Sequence, residues 1–122
     1  IEEARRWKKV TGGGWRQAGF LAAAGIWALE HHVERLADDH RRAQEIAVGL
    51  EPIEGIEVES PETNMVWADL PDETMSKLSS FLEQRDILVS GRDRLRLVTH
   101  LDVSNEDVQR VVRAFDLFFQ GV

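Results

Sequence analysis

The chain is 122 residues long, 43% hydrophobic, free of cysteine, and carries a formal net charge of −7. That is enough sequence for one domain and one core. It excludes disulfides, thiolate metal sites and cysteine nucleophiles, fits a reducing compartment, and offers no apolar run near the roughly 20 residues that cross a bilayer. Residues 1–50 hold 8 Lys/Arg against 7 Asp/Glu and residues 51–122 hold 7 against 15, an acidic body unsuited to non-specific nucleic-acid binding.

The start, IEEARRWKKV, is charged and helical in pattern, unlike a signal peptide. It begins with Ile inside the pattern, with no Met and no cap, and reads as the later part of a longer chain. Three glycines, Gly12, Gly13 and Gly14, end this first helix. A long helix is expected over 15–48. Its first half is apolar nearly all round and rich in small residues, including Ala18, Gly19, Ala22, Ala23, Ala24 and Gly25. A helix hydrophobic on every side is buried on every side, so this half is expected to pack against more protein than these residues supply. The second half, HHVERLADDHRRAQEIA, is amphipathic. Gly49 is expected to end the helix, with Pro52 and Gly55 keeping the link irregular.

Strands are expected at 56–59, 64–69, 87–89 and 94–99, with a helix over 72–84 started by Pro71 or Asp72 and lined by Met75, Leu78 and Leu82. Ser104, with Asp107 three positions on, caps a last helix whose stripe is Val108, Val111, Val112, Phe115 and Phe119. The fold class is α+β: a small, mainly antiparallel sheet of three to four strands covered by helices and preceded by the long helix.

Several features invite chemistry. A glycine turn entering a helix can hold an anion on free N–H groups, yet neither the Gly-Lys-Ser/Thr ending nor a preceding strand is present, and a plain flexible turn explains the glycines equally well. His31, His32 and His40 lack the one-turn spacing of a zinc pair, and solvated surface histidines account for them; no metal site is expected. His100 sits in a loop with no nucleophile placed by spacing to form a triad. Arg94 and Arg96 alternate with Leu95 and Leu97 and so share a sheet face. Such arginines are solvated, or they hold a carboxylate by two parallel hydrogen bonds.

ARRWKKVTGGGWRQAGFLAAAGIWALEHHVERLADDH, then TNMVWADL, then LRLVTHLDVSNEDV, closely resemble the C-terminal third of the low-specificity L-threonine aldolases, in that family's order and over essentially the whole chain. The family often has Met where Trp15 stands. The resemblance implies an aspartate-aminotransferase-type small domain of a pyridoxal-phosphate enzyme. Such an enzyme cleaves L-threonine, L-allo-threonine and related β-hydroxy-α-amino acids to glycine and an aldehyde, as a cytoplasmic homotetramer with active sites built from two subunits. It implies that residues 1–14 lead in from a large domain outside these residues, with Gly12, Gly13 and Gly14 as a hinge. Lys9 and Arg16 would face the active-site region, that of an adjacent subunit, and Arg96 would bind the substrate carboxylate. Thr99 and His100 would be structural. The family's Schiff-base lysine belongs to an upstream segment that matches nothing here, and Lys8, Lys9 and Lys77 fit no motif for it. The isolated chain is therefore expected to bind no cofactor covalently and to be inactive. The other reading is a non-catalytic oligomerisation or interaction module left from such an enzyme. Another eliminase of the same fold group is disfavoured by RLVTHLDVS.

Overall fold

A computed structural model describes residues 1–91 and 94–121. The chain divides into two units, Ile1–Glu34 and Arg35–Val122. The first holds α1 (Glu2–Val10) and α2 (Gly19–His31). Glu2 and Glu3 in the first turn of α1, and Lys8 and Lys9 in its last, complement the helix dipole. Neither α1 nor α2 has a buried residue. In α2, Phe20 is 95% exposed and Leu29 72%, so the apolar surface that suggested further packing stands open.

The single helix expected over 15–48 is two helices. α2 ends at His31, and α3 (Leu36–Leu50) begins after a turn over 32–35. The His31 ring stacks on Trp27 with centroids 3.7 Å apart, and its Nδ1–H donates to the Trp27 carbonyl at 2.9 Å. A side chain that takes a carbonyl one turn back competes with the backbone ladder. The last bond of α2 follows at once, from His32 N–H to Ala28 O at 2.8 Å.

The second unit is α+β. β1 (Glu57–Glu59), β2 (Met65–Asp69) and β3 (Arg94–Val98) form one antiparallel sheet in the order β1-β2-β3. Between β2 and β3 runs α4 (Asp72–Glu83), and α5 (Asn105–Gln120) closes the unit. Alternation decides the faces. Val66, Ala68 and Leu95 are buried and join Ile46, Leu50, Leu78, Leu82 and Phe115 in one core. Residues 87–89, expected as a strand, are irregular. Ile87 is buried and Leu88 exposed as in a strand, but the only pairing among the described residues nearby is an isolated bridge from Gly91 to Leu95. The sheet therefore has three strands.

The last helix starts as expected. Ser104 Oγ accepts from Asp107 N–H at 3.1 Å, and Asp107 Oδ2 accepts from Ser104 N–H at 3.0 Å. These bonds hold the Asp107 carboxyl below the ordinary aspartate range. The other end of α3 corrects an expectation. Gly49 does not stop the helix; α3 runs on to Leu50. A Cβ at Gly49 would lie 2.6 Å from Val112 Cγ1 and 2.7 Å from Cγ2 on α5. Gly49 is there so that α3 and α5 can approach. Rotating Val112 about χ1 exchanges one methyl for the other and relieves little. Gly49→Ala is expected to destabilise the unit by roughly 1–2 kcal/mol in urea unfolding, overpacking outweighing the gain in helix propensity. Adding Val112→Ala should recover most of that loss. If Gly49→Ala alone is neutral or stabilising, the close approach does not constrain this position.

Candidate functional site

The sheet face away from the helices carries charge and one large aromatic. Glu57 and Glu59 stand on it from β1, Met65, Trp67 and Asp69 from β2, and Arg94, Arg96 and Val98 from β3. The register sets Glu59 opposite Trp67, Trp67 opposite Arg96, and Asp69 opposite Arg94. Arg94 is held from two sides. Its Nη2–H donates to Glu59 Oε1, its Nε lies 3.7 Å from Asp69 Oδ1, and its guanidinium carbon is 4.7 Å from the Trp67 ring centroid. The Arg96 side chain is exposed and makes no hydrogen bond or ion pair with the described residues. The sequence placed both arginines on one face, which holds. It also suggested a guanidinium aimed at a carboxylate, and no carboxylate among the described residues pairs with Arg96.

The end of β3 is clamped beneath that face. Thr99 is 1% exposed. Its Oγ1–H donates to the Asp39 carbonyl at 2.7 Å, and Asn64 Nδ2–H donates to the Thr99 carbonyl at 2.7 Å. Thr99 N–H donates to Asn64 O at 3.0 Å. Asp39, 3% exposed, takes two parallel bonds from Arg35 at 2.9 and 3.0 Å. One buried hydroxyl thus ties α3 and the start of β2 to the exit of β3, three residues from Arg96. The motifs TNMV and LVTH marked Asn64 and Thr99 in the sequence, but not what joined them. His100 is exposed, and its Nδ1 accepts from Asp102 N–H at 3.3 Å. It stabilises the turn into α5. Among the described residues no three histidine or acidic side chains gather as a metal site.

The glycine corner belongs to the first unit. Gly12, at φ +89°, donates its N–H to Lys9 O at 3.3 Å, and Gly13 donates to Lys8 O at 2.7 Å. These crossed bonds form a Schellman motif that satisfies the free carbonyls at the end of α1. A Cβ on Gly13 would meet Lys8 O at 2.6 Å, whereas one on Gly14 would meet nothing within 4 Å. The first two glycines are thus accounted for by the helix end, and nothing in the structure explains the third. Lys8, the three glycines and Trp15 line a shallow pocket of about 230 Å³. Lys9 and Arg16 are exposed, with no side-chain hydrogen bond or ion pair among the described residues.

Residues 1–73 match the Beta-eliminating lyase family. The chain is 42% identical over 118 residues to the low specificity L-threonine aldolase of Escherichia coli strain K12, covering 97% of this chain and 35% of that protein. It is 36% identical over 128 residues to a probable low-specificity L-threonine aldolase 2 of Arabidopsis thaliana, covering 99% of this chain and 36% of that one. The chain thus spans about a third of the length of these curated relatives. Among solved structures it resembles a serine palmitoyltransferase of Sphingomonas wittichii, with a TM-score of 0.61 at 19% identity over 82% of this chain and 28% of that one. An aminotransferase of Streptoalloteichus hindustanus gives 0.58 at 18% identity over 73% of this chain and 34% of that one. At such identities the likeness speaks to the fold alone, which is that of aminotransferase small domains.

Proposed function

The chain belongs to the Beta-eliminating lyase family, and from that premise we propose that it is the C-terminal, small-domain part of a pyridoxal-phosphate-dependent aldolase. The reaction is cleavage of L-threonine, L-allo-threonine and related β-hydroxy-α-amino acids to glycine and an aldehyde. The observation that carries this reading is 42% identity, along 97% of the chain, to a low specificity L-threonine aldolase.

In this reading Arg96 holds the substrate α-carboxylate by two parallel hydrogen bonds. Its exposure and lack of a carboxylate partner leave its donors available. The wall opposite it would come from polypeptide outside these residues, as would the partner of α2. Lys9 and Arg16 bring positive charge toward the cofactor phosphate, in a homo-oligomer whose neighbouring subunit completes the site. Pyridoxal phosphate, when bound, supplies an electron sink for the pair left on Cα as the Cα–Cβ bond breaks.

A lysine that anchors this cofactor is desolvated in a pocket against it. All three lysines of this chain are exposed among the described residues. Lys8 and Lys9 are exposed on α1. Lys77 donates to Glu73 Oε1 at 2.7 Å and holds that carboxyl below the ordinary glutamate range. Their fit is to supporting charge, so the covalent anchor is assigned to other polypeptide.

One observation favours the second reading, a non-catalytic interaction module: α2 presents apolar side chains and has no buried residue. Two assays separate the readings. The longest natural polypeptide carrying these residues is expected to release glycine and acetaldehyde from L-threonine with added pyridoxal phosphate. The 122-residue chain alone is expected to do neither that nor form a borohydride-reducible adduct at one specific lysine. No aldehyde from the longer polypeptide would refute the aldolase reading, and a single labelled lysine in the short chain would refute the division of labour.

A further inference from the structure

On the open sheet face, Arg94 and Arg96 are two residues apart on one strand, yet their settings differ. Arg94 is bonded to Glu59, paired with Asp69 and stacked over Trp67. Arg96 has none of these among the described residues. From this contrast we infer that Arg94 is a positioning residue for Arg96: it occupies the two carboxylates that would otherwise capture the Arg96 guanidinium, and keeps that guanidinium free for a substrate carboxylate. This rests on the carboxylate-binding reading of Arg96.

The register makes the competition concrete. Directly opposite partners on an antiparallel pair sit about 5 Å apart and diagonal ones about 7–8 Å, within reach of an arginine. Asp69 stands opposite Arg94 and so is diagonal to Arg96. Glu59 is one strand further, across Trp67. With Arg94 gone, both acids lose their cation and Arg96 is the nearest replacement. An internal carboxylate on Arg96 competes with the carboxylate of the substrate. Arg94 also carries like charge on the same face, which disfavours folding of Arg96 back along the strand. Trp67 fills the position between Glu59 and Arg96 and completes the separation.

The test uses the active polypeptide that carries these residues. Arg94→Ala is expected to raise KM for L-threonine about threefold to fivefold with kcat within about twofold, the scale of exposed charge pairs. The increase should shrink as salt rises toward about 0.5 M. Adding Glu59→Gln and Asp69→Asn to Arg94→Ala should return KM to within about twofold of the original, because nothing is then left to capture Arg96. Arg94→Lys should leave KM nearly unchanged. If Arg94→Ala lowers the melting temperature into the assay range, Arg94→Gln, which keeps bulk over Trp67, replaces it with the same expectations. An unchanged KM in Arg94→Ala and Arg94→Gln, while Arg96→Ala raises it, overturns the inference and leaves the Arg96 reading standing. A raised KM that the two acid substitutions do not rescue also overturns it, since Arg94 would then be touching substrate itself. If Arg96→Ala leaves KM unaltered, the carboxylate reading fails first, and this inference with it.

Discussion

Arg96→Ala, made in the active polypeptide, is expected to reduce kcat/KM for L-threonine about 30-fold to 1,000-fold while leaving the fold intact. The size follows from the chemistry of the pair. A guanidinium that loses its place against a desolvated carboxylate removes about 2–4 kcal/mol, much of it the penalty of leaving the other charge unpaired. The fold is spared because Arg96 is exposed and contributes nothing to the core. Arg96→Lys should restore only part of the rate. An ammonium keeps the charge but not the planar pair of donors that matches a carboxylate. The effect should fall mainly on kcat/KM, with cofactor fluorescence unchanged, because in the proposed role the pair is made to substrate and not to cofactor. Arg16→Ala gives the contrasting pattern: weaker cofactor retention or assembly, with KM for the amino acid little altered. Near-normal kcat/KM for Arg96→Ala would remove the carboxylate role. So would equal damage to cofactor binding, since the residue would then be acting through the site's architecture.

How far the sequence reached depends on the range of the physics involved. The capping box at Ser104 and Asp107 was legible because both partners lie within one turn and only those side chains make those bonds. The stripe on α5 was legible because a 3.6-residue period has one inward face. Its members Val108 and Phe115 are buried, and Val111 and Phe119 are half-buried. Strand alternation put Arg94 and Arg96 together correctly. What failed needed a partner distant in sequence, or a choice between equal local options. Glycine reads the same whether it ends a helix or admits a neighbour, so Gly49 was misassigned although Gly12 and Gly13 were rightly taken as a helix stop. The apolar positions of 15–48 continue past His31, and only the turn over 32–35 shows where the ladder gives way. Ile87 and Val89 alternate like a strand but pair with no neighbour among the described residues. At the candidate site, the pattern could show two arginines on one face. It could not show that one is engaged by Glu59 and Asp69 and the other is not.

The largest effect on stability is expected from Phe115→Ala. Phe115 is 0% exposed, at the centre of a stripe whose neighbours Val108 and Ala114 are also buried. It joins the cluster formed by Leu50 of α3, Leu78 and Leu82 of α4, and Val66 and Leu95 of the sheet. Truncation removes the transfer energy of a benzyl group and leaves a cavity that rigid elements on several sides cannot close, about 3–5 kcal/mol in all. A unit of this size has a total stability on the order of 4–13 kcal/mol, so the variant should unfold at much lower urea with an unchanged slope. Phe115→Leu keeps most of the volume and should lose roughly 1–1.5 kcal/mol. The comparison also separates scaffold from chemistry. Leu95, which belongs to the same core cluster as Phe115, is the residue beside Arg96 on β3, so Phe115→Ala should lose activity in step with the folded fraction. At temperatures where the variant is fully folded, its KM for L-threonine should match the parent's. A shifted KM in the fully folded variant would mean that the core, and not the open face alone, sets the position of the Arg96 guanidinium. A loss below about 1 kcal/mol would mean that α3, α4 and the sheet close around the vacancy, and that the packing of this unit is far softer than a fully buried phenylalanine implies.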